Sequence, residues 1–143
     1  MGYLQPDSVG QIRFHSLLSQ LDSAYHNFAD IWFTYAVGTA LYFISDYYIF
    51  KWHNNRFKVW KAKEGFGFAS CVNNQIYIEK NGIGLMRLQD DTLTLIPDGD
   101  KFFGKKGNIT AVLNYKDNKL LMGHSVEGLF PVSYTHLRAQ RPY

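Results

Sequence analysis

One design recurs three times along this chain: an apolar strand, a break of one to three residues, a second apolar strand, a polar turn, then a third strand. The first instance is Leu41-Tyr42-Phe43-Ile44, Tyr48-Ile49-Phe50-Lys51-Trp52, a turn at His53-Asn54-Asn55, and Arg56-Phe57-Lys58-Val59-Trp60. The second is Ile76-Tyr77-Ile78-Glu79, Gly84-Leu85-Met86-Arg87-Leu88, a turn at Gln89-Asp90-Asp91, and Thr92-Leu93-Thr94-Leu95-Ile96. The third opens with Leu120-Leu121-Met122-Gly123 and Gly128-Leu129-Phe130, where the pattern stops. A further strand precedes each unit across a tight turn: residues 31–35 before Gly38-Thr39, 66–72 before Asn73-Asn74, and 109–115 before Lys116-Asp117-Asn118. Asn-Asn and Asp-Asn pairs tolerate the left-handed backbone of short hairpins. Four antiparallel strands per unit follow. The intervals from Leu41 to Ile76 and from Ile76 to Leu120 bracket roughly 40 residues, the length of a propeller blade.

Periodicity agrees with strands. Polar and apolar residues alternate in Arg56-Phe57-Lys58-Val59 and Thr92-Leu93-Thr94-Leu95, as in outer strands with one wet face. Residues 109–113 are more continuously apolar, as when both faces are covered. Hydrophobic residues make up 46% and aromatics 17% of the chain, which argues against disorder and favours a pleated, packed surface. Only residues 16–21 have helical spacing, enough for one or two turns. Residues 31–50 are long and apolar enough to imitate a membrane span, but Gly38-Thr39 and Ser45-Asp46 interrupt them, so buried strands are expected.

The fold class expected is all-β, a partial β-propeller of four-stranded antiparallel blades. A β-sandwich is the alternative; it needs unlike strands in Greek-key order, whereas equal, locally closed units favour radial repetition. The division expected is residues 1–30 as the end of a preceding blade and a connector, 31–65 and 66–107 as blades, and 108–130 as a truncated blade. Residues 131–143 are expected to be a non-native tail.

These strand pairs resemble the sensor propellers of two-component regulators, especially hybrid histidine kinases of Bacteroidetes-type bacteria. The residues that carry the likeness are Leu41-Tyr42-Phe43 with Tyr48-Ile49-Phe50-Lys51-Trp52, Ile76-Tyr77-Ile78 with Gly82-Ile83-Gly84-Leu85-Met86-Arg87-Leu88, and Leu120-Leu121-Met122-Gly123 with Glu127-Gly128-Leu129-Phe130. Gly2-Tyr3-Leu4-Gln5-Pro6-Asp7 and residues 10–14 resemble the outer strands of a preceding blade, so Met1 is not expected to be a natural start. After Phe130 the string Pro131-Val132-Ser133-Tyr134-Thr135-His136-Leu137-Arg138-Ala139 is similar to translated sequencing-adapter tails. The resemblance implies a ligand-sensing fragment of a signal-transduction receptor, periplasmic and membrane-anchored through its parent. It also implies that the remaining blades of that receptor are partners, and that this chain has no enzyme activity.

Site chemistry is sparse. The histidines at 15, 26, 53, 124 and 136 have no metal-ligand spacing, and the lone Cys71 excludes a thiolate zinc site and an internal disulfide. No metal or cofactor is expected. Gly82-Ile83-Gly84 lacks the third glycine and the helix of a dinucleotide site. Asp90-Asp91 and Asp98 with Asp100 fall in turns, not as convergent catalytic carboxylates. Asp98-Gly99-Asp100 lacks the other ligands of a calcium loop. No serine has a nucleophile-elbow context, so no catalytic residue is expected. The net charge of +3 owes two units to Arg138 and Arg141, and the remaining cations are scattered, which speaks against nucleic acid.

A propeller binds partners through the loops that join outer to inner strands and second to third strands. Here those are Ser45-Asp46-Tyr47, residues 61–65, Lys80-Asn81, residues 97–107, and the loop at 124–127. Tyr47, Lys63, Asn81, Lys105 and His124 are the candidate ligand-binding residues, and an oligosaccharide or other small ligand is the expected partner. The alternative is the non-catalytic part of a propeller enzyme acting on polysaccharide, of sialidase or lyase type.

Overall fold

Pairs of Asn or Asp residues set the sharpest turns. Asn54 and Asn55, Asn73 and Asn74, and Asp90 and Asp91 all have φ between 48° and 60°. Two consecutive left-handed residues make the turn whose twist matches that of paired strands, and a short polar side chain tolerates them best. In the computed structural model, which describes residues 1–101 and 106–133, each of these pairs closes a two-residue hairpin.

The described residues form an all-β protein of thirteen strands in four antiparallel sheets. Every sheet is a meander with its strands in sequence order, and none exchanges a strand with another sheet. Residues 31–50, read as strands and not as a membrane span, supply β3, β4 and the start of β5. No helix among the described residues is long and apolar enough to cross a membrane.

The chain divides into two compact units. The first, Met1–Lys61, begins with the hairpin β1 (Gly2–Pro6) and β2 (Ile12–Ser16). Asp7 closes it: one carboxylate oxygen accepts the N–H groups of Val9 and Gln11 at 3.0 and 2.9 Å, and the other meets Arg13 Nε at 3.1 Å. The helical spacing of residues 16–21 resolves into a 3-10 turn at Leu18–Gln20, followed by a second at Ser23–Tyr25, where Asp22 caps the N–H of Ala24. The main sheet is β3 (Ile31–Val37), β4 (Ala40–Ser45), β5 (Tyr48–His53) and β6 (Arg56–Lys61). Phe43 and Phe50 stand directly opposite each other on β4 and β5, both buried, and Leu17 and Leu21 share their cluster. Trp52 Nε1 donates to Gln20 Oε1 at 2.8 Å, tying the connector to the sheet.

The second unit, Ala62–Tyr143, holds two sheets. One is β7 (Phe66–Val72), β8 (Gln75–Lys80), β9 (Gly84–Gln89) and β10 (Thr92–Leu95); the other is β11 (Ile109–Tyr115), β12 (Lys119–His124) and β13 (Gly128–Ser133). Tyr77 and Leu85 of the first sheet share one buried cluster with Val112, Leu120, Met122 and Val132 of the second. The first strands of the two sheets lie side by side: Ser70 Oγ donates to the Val112 carbonyl at 3.0 Å, and Asn73 Nδ2 to Asn114 Oδ1 at 3.2 Å.

A register shift recurs near the start of the first strand in all three larger sheets, between Ile31 and Phe33, between Phe66 and Ala69, and between Ile109 and Ala111. Such bulges sharpen the local twist and re-aim the strand. The last strand of the β11–β13 sheet continues past Phe130. Pro131, Val132 and Ser133 pair with β12, Val132 is fully buried, and the Ser133 N–H donates to Asp98 Oδ2 at 2.9 Å. These three residues extend the third strand of that sheet; residues 134–143 of the expected tail lie outside the described residues.

Candidate functional site

In the second unit, the end of the β7–β10 sheet where β8 finishes gathers two candidate residues. Asn81 opens the β8–β9 turn, with its N–H on the Gly65 carbonyl and its side-chain Nδ2 on the Glu64 carbonyl, both at 3.0 Å. The turn is thereby stapled to the segment that enters β7, and that segment carries the exposed Lys63. Asn81 and Lys63 thus sit on two loops fastened to each other. In the first unit, Tyr47 sits at the tip of the β4–β5 turn, 53% exposed. Buried Ser45 holds that turn by accepting the Tyr48 N–H at 3.2 Å, which leaves Asp46 and Tyr47 facing solvent. Lys105 lies outside the described residues.

His124 requires a correction. A loop position was expected, yet it is the last residue of β12 and only 6% exposed. Its Nδ1 accepts the N–H groups of Val126 and Glu127 at 3.4 and 3.2 Å. The imidazole does the work of an Asx side chain, satisfying turn donors from inside. A ring that accepts at Nδ1 carries its proton on Nε2 in the neutral form.

Glu79, a residue that sequence reasoning left as an ordinary strand position, adjoins this histidine electrostatically. Burial pushes its carboxyl above the ordinary value of 4.5, against the opposing pull of backbone hydrogen bonds from Phe68 and Ile109 and of the His124 imidazole. Gly67 makes room for it, since a Cβ there would stand 2.6 Å from Glu79 Oε2. Its one signal in the sequence is an acid that follows directly on the apolar run Ile76-Tyr77-Ile78.

Gly84 has a structural explanation. Its φ is 135°, and its α-carbon lies so close to the Gly99 carbonyl that a side chain would collide with backbone. The Leu85 N–H donates to that carbonyl at 2.8 Å, folding the segment after β10 onto β9. Among the described residues no cluster of three or more His, Cys, Asp or Glu side chains is arranged to hold a metal ion. No family model, curated protein or solved structure matches the chain.

Proposed function

We propose that this chain is a segment of a β-propeller that serves ligand recognition, without catalysis of its own, in the periplasmic sensor of a membrane-anchored two-component receptor. The observation that carries the propeller reading is the pairing of two successive meanders in the second unit. They share a core, and their first strands, β7 and β11, are joined by Ser70 and Val112. Sheets arrayed about an axis bring equivalent inner strands together in this way, whereas a sandwich exchanges strands between its layers. The bulge repeated in β3, β7 and β11 supports the same reading, because a repeated unit repeats its irregularities.

The receptor assignment rests on the resemblance of the strand-pair repeats to two-component sensor propellers. Recognition then falls to the loops at the β8 end of the sheet, where Asn81 and the Lys63 segment are fastened together, and to the Tyr47 turn. Glu79 and His124 use polar atoms to satisfy backbone N–H groups, which suits a packing role better than a catalytic one.

The test is binding of the chain to a panel of neutral oligosaccharides, followed by amide chemical shifts. Saturable binding that perturbs residues 45–47, 61–65 or 80–83, and that weakens in Lys63→Ala, is the expected result. Cleavage of any glycan in the panel, or failure of every glycan to bind, would overturn it.

A further inference from the structure

The connector between β2 and β3 packs on the main sheet of the first unit through Leu21 and Tyr25, which share the Phe43–Phe50 cluster with Phe57 and Val59 of β6. Beside that contact a cleft of about 270 Å³ stays open. The same four apolar residues form its floor, all of them buried or half-buried. Its border is polar and exposed: Gln20 and Asp22 from the connector, Asn55 and Arg56 from the turn that opens β6.

Local structure leaves these polar groups with definite unused capacity. Gln20 Oε1 already accepts the Trp52 indole N–H at 2.8 Å, so the amide nitrogen is the end that remains to donate. Asp22 Oδ1 caps the second 3-10 turn through the Ala24 N–H at 2.9 Å, and its other oxygen remains an acceptor. Among the described residues, neither Asp22 nor Arg56 forms an ion pair, with the other or with any third residue. One carboxylate and one guanidinium thus border a single apolar floor without joining. Had they met, each would neutralise the other; held apart, they suit a ligand that carries both complementary charges. A guanidinium matches a carboxylate in two-point contact, and a carboxylate accepts from an ammonium group. Exposed charges are each worth little, so neither would hold a ligand alone, and the apolar floor has to contribute. A few polar groups around an apolar surface are the usual composition of a small-molecule site. The volume falls just below the roughly 300–1,000 Å³ of pockets for drug-sized ligands, so a compact ligand is the one that fits.

We infer that this cleft is a binding site for a small zwitterion with an apolar body, an α-amino acid of about the size of leucine. Asp22 takes the ammonium group and Arg56 the carboxylate. The amides of Gln20 and Asn55 complete the polar contacts, and the apolar side chain lies on Tyr25 and Phe57. The site belongs wholly to the first unit and depends on neither the propeller nor the receptor reading.

The test is titration of the full chain with L-leucine, followed by amide chemical shifts. Isoamylamine and 4-methylpentanoate serve as probes that keep the apolar body and one charge each. Leucine is expected to saturate shifts at residues 20–25 and 55–59, and each probe to bind about fivefold more weakly or worse, the scale of one exposed charge contact. Asp22→Asn removes the charge and keeps an acceptor for the Ala24 N–H, so the cap survives. It should weaken leucine and isoamylamine about fivefold without weakening 4-methylpentanoate. Arg56→Gln, at an exposed position, should do the reverse, weakening leucine and 4-methylpentanoate but not isoamylamine. Asp30→Asn removes an exposed carboxylate of the same unit that does not line the cleft, and should leave all three unchanged. The inference is overturned by unsaturable leucine shifts, by either probe binding as tightly as leucine, or by parental leucine affinity in Asp22→Asn or in Arg56→Gln. A loss in Asp30→Asn as large as that in Asp22→Asn would overturn it too, by reducing the effect to overall charge.

Discussion

The hydroxyl of Ser70 donates to the carbonyl of Val112 at 3.0 Å, across the space between the first strands of two neighbouring sheets. This side-chain bond satisfies a carbonyl on β11 that faces away from β12 and toward the preceding sheet. Ser70→Ala should therefore cost the second unit about 1–2 kcal/mol, the loss of one hydrogen bond plus a part-buried carbonyl left without it. Urea denaturation followed by circular dichroism measures this; a change within about 0.5 kcal/mol would mean that the Ser70 bond adds nothing to the attachment of the two strands.

The reach of β13 past Phe130 is open to a direct comparison. Val132 is fully buried in the shared core, while Leu129, three positions earlier, is 69% exposed on the other face. Val132→Ala should destabilise the second unit by about 2 kcal/mol through the cavity it leaves, and Leu129→Ala by no more than about 0.5 kcal/mol. Equal effects from the two substitutions would remove residues 131–133 from the core.

Turn chemistry gives a test with opposite signs at one position. Asn74 has φ of 58°. Asn74→Val places a β-branched side chain where the left-handed backbone crowds it and should cost about 1–2 kcal/mol. Asn74→Gly completes the favoured Asn-Gly turn and should be neutral or stabilising. Thermal melts of the two variants beside the parent read the difference, and the same sign for both would argue against a left-handed turn.

Burial raises the Glu79 carboxyl above its ordinary value, so the folded state holds this proton more tightly than the unfolded one. Its contribution is then most favourable below about pH 4.5, and is lost as pH rises through the folded value. Glu79→Gln removes the titration and keeps an acceptor for the Phe68 N–H. The variant's stability relative to the parent should therefore rise from pH 4 toward pH 7. A flat difference across that range would show that burial of Glu79 has no thermodynamic weight. Asp7 has the opposite sign. The N–H groups of Gln11 and Val9 and the Arg13 side chain hold it below its ordinary value, so the β1–β2 hairpin should loosen as pH falls through the acid range.

Much of the strand order was legible because hairpins are local. Asn54-Asn55, Asn73-Asn74 and Asp90-Asp91 announce their turns by residue type, and the runs on either side are brought together by the turn itself. Asn81 and Lys63 could be assigned to adjoining loops from strand order alone. His124 could not be read this way. A histidine between two strands looks like a polar loop residue, and only the packing of β12 shows that its ring is buried beneath the turn. Asp22 and Arg56 were hidden for a related reason, since charged residues far apart in the chain do not reveal that they border the same cleft.

By itself the sequence determined the all-β class, the position of nearly every strand and the hairpins that close each sheet, since alternation and turn propensity act over a few residues. Tertiary structure alone decided which face of each sheet is covered and by what. It buried Val132 beyond the apparent end of the pattern, buried the Glu79 carboxyl within electrostatic reach of His124, and left a cleft with a polar border between the β2–β3 connector and β6. A period of two marks two faces on every strand, but a face acquires its environment only from residues far away in the chain, and no local pattern encodes that distance.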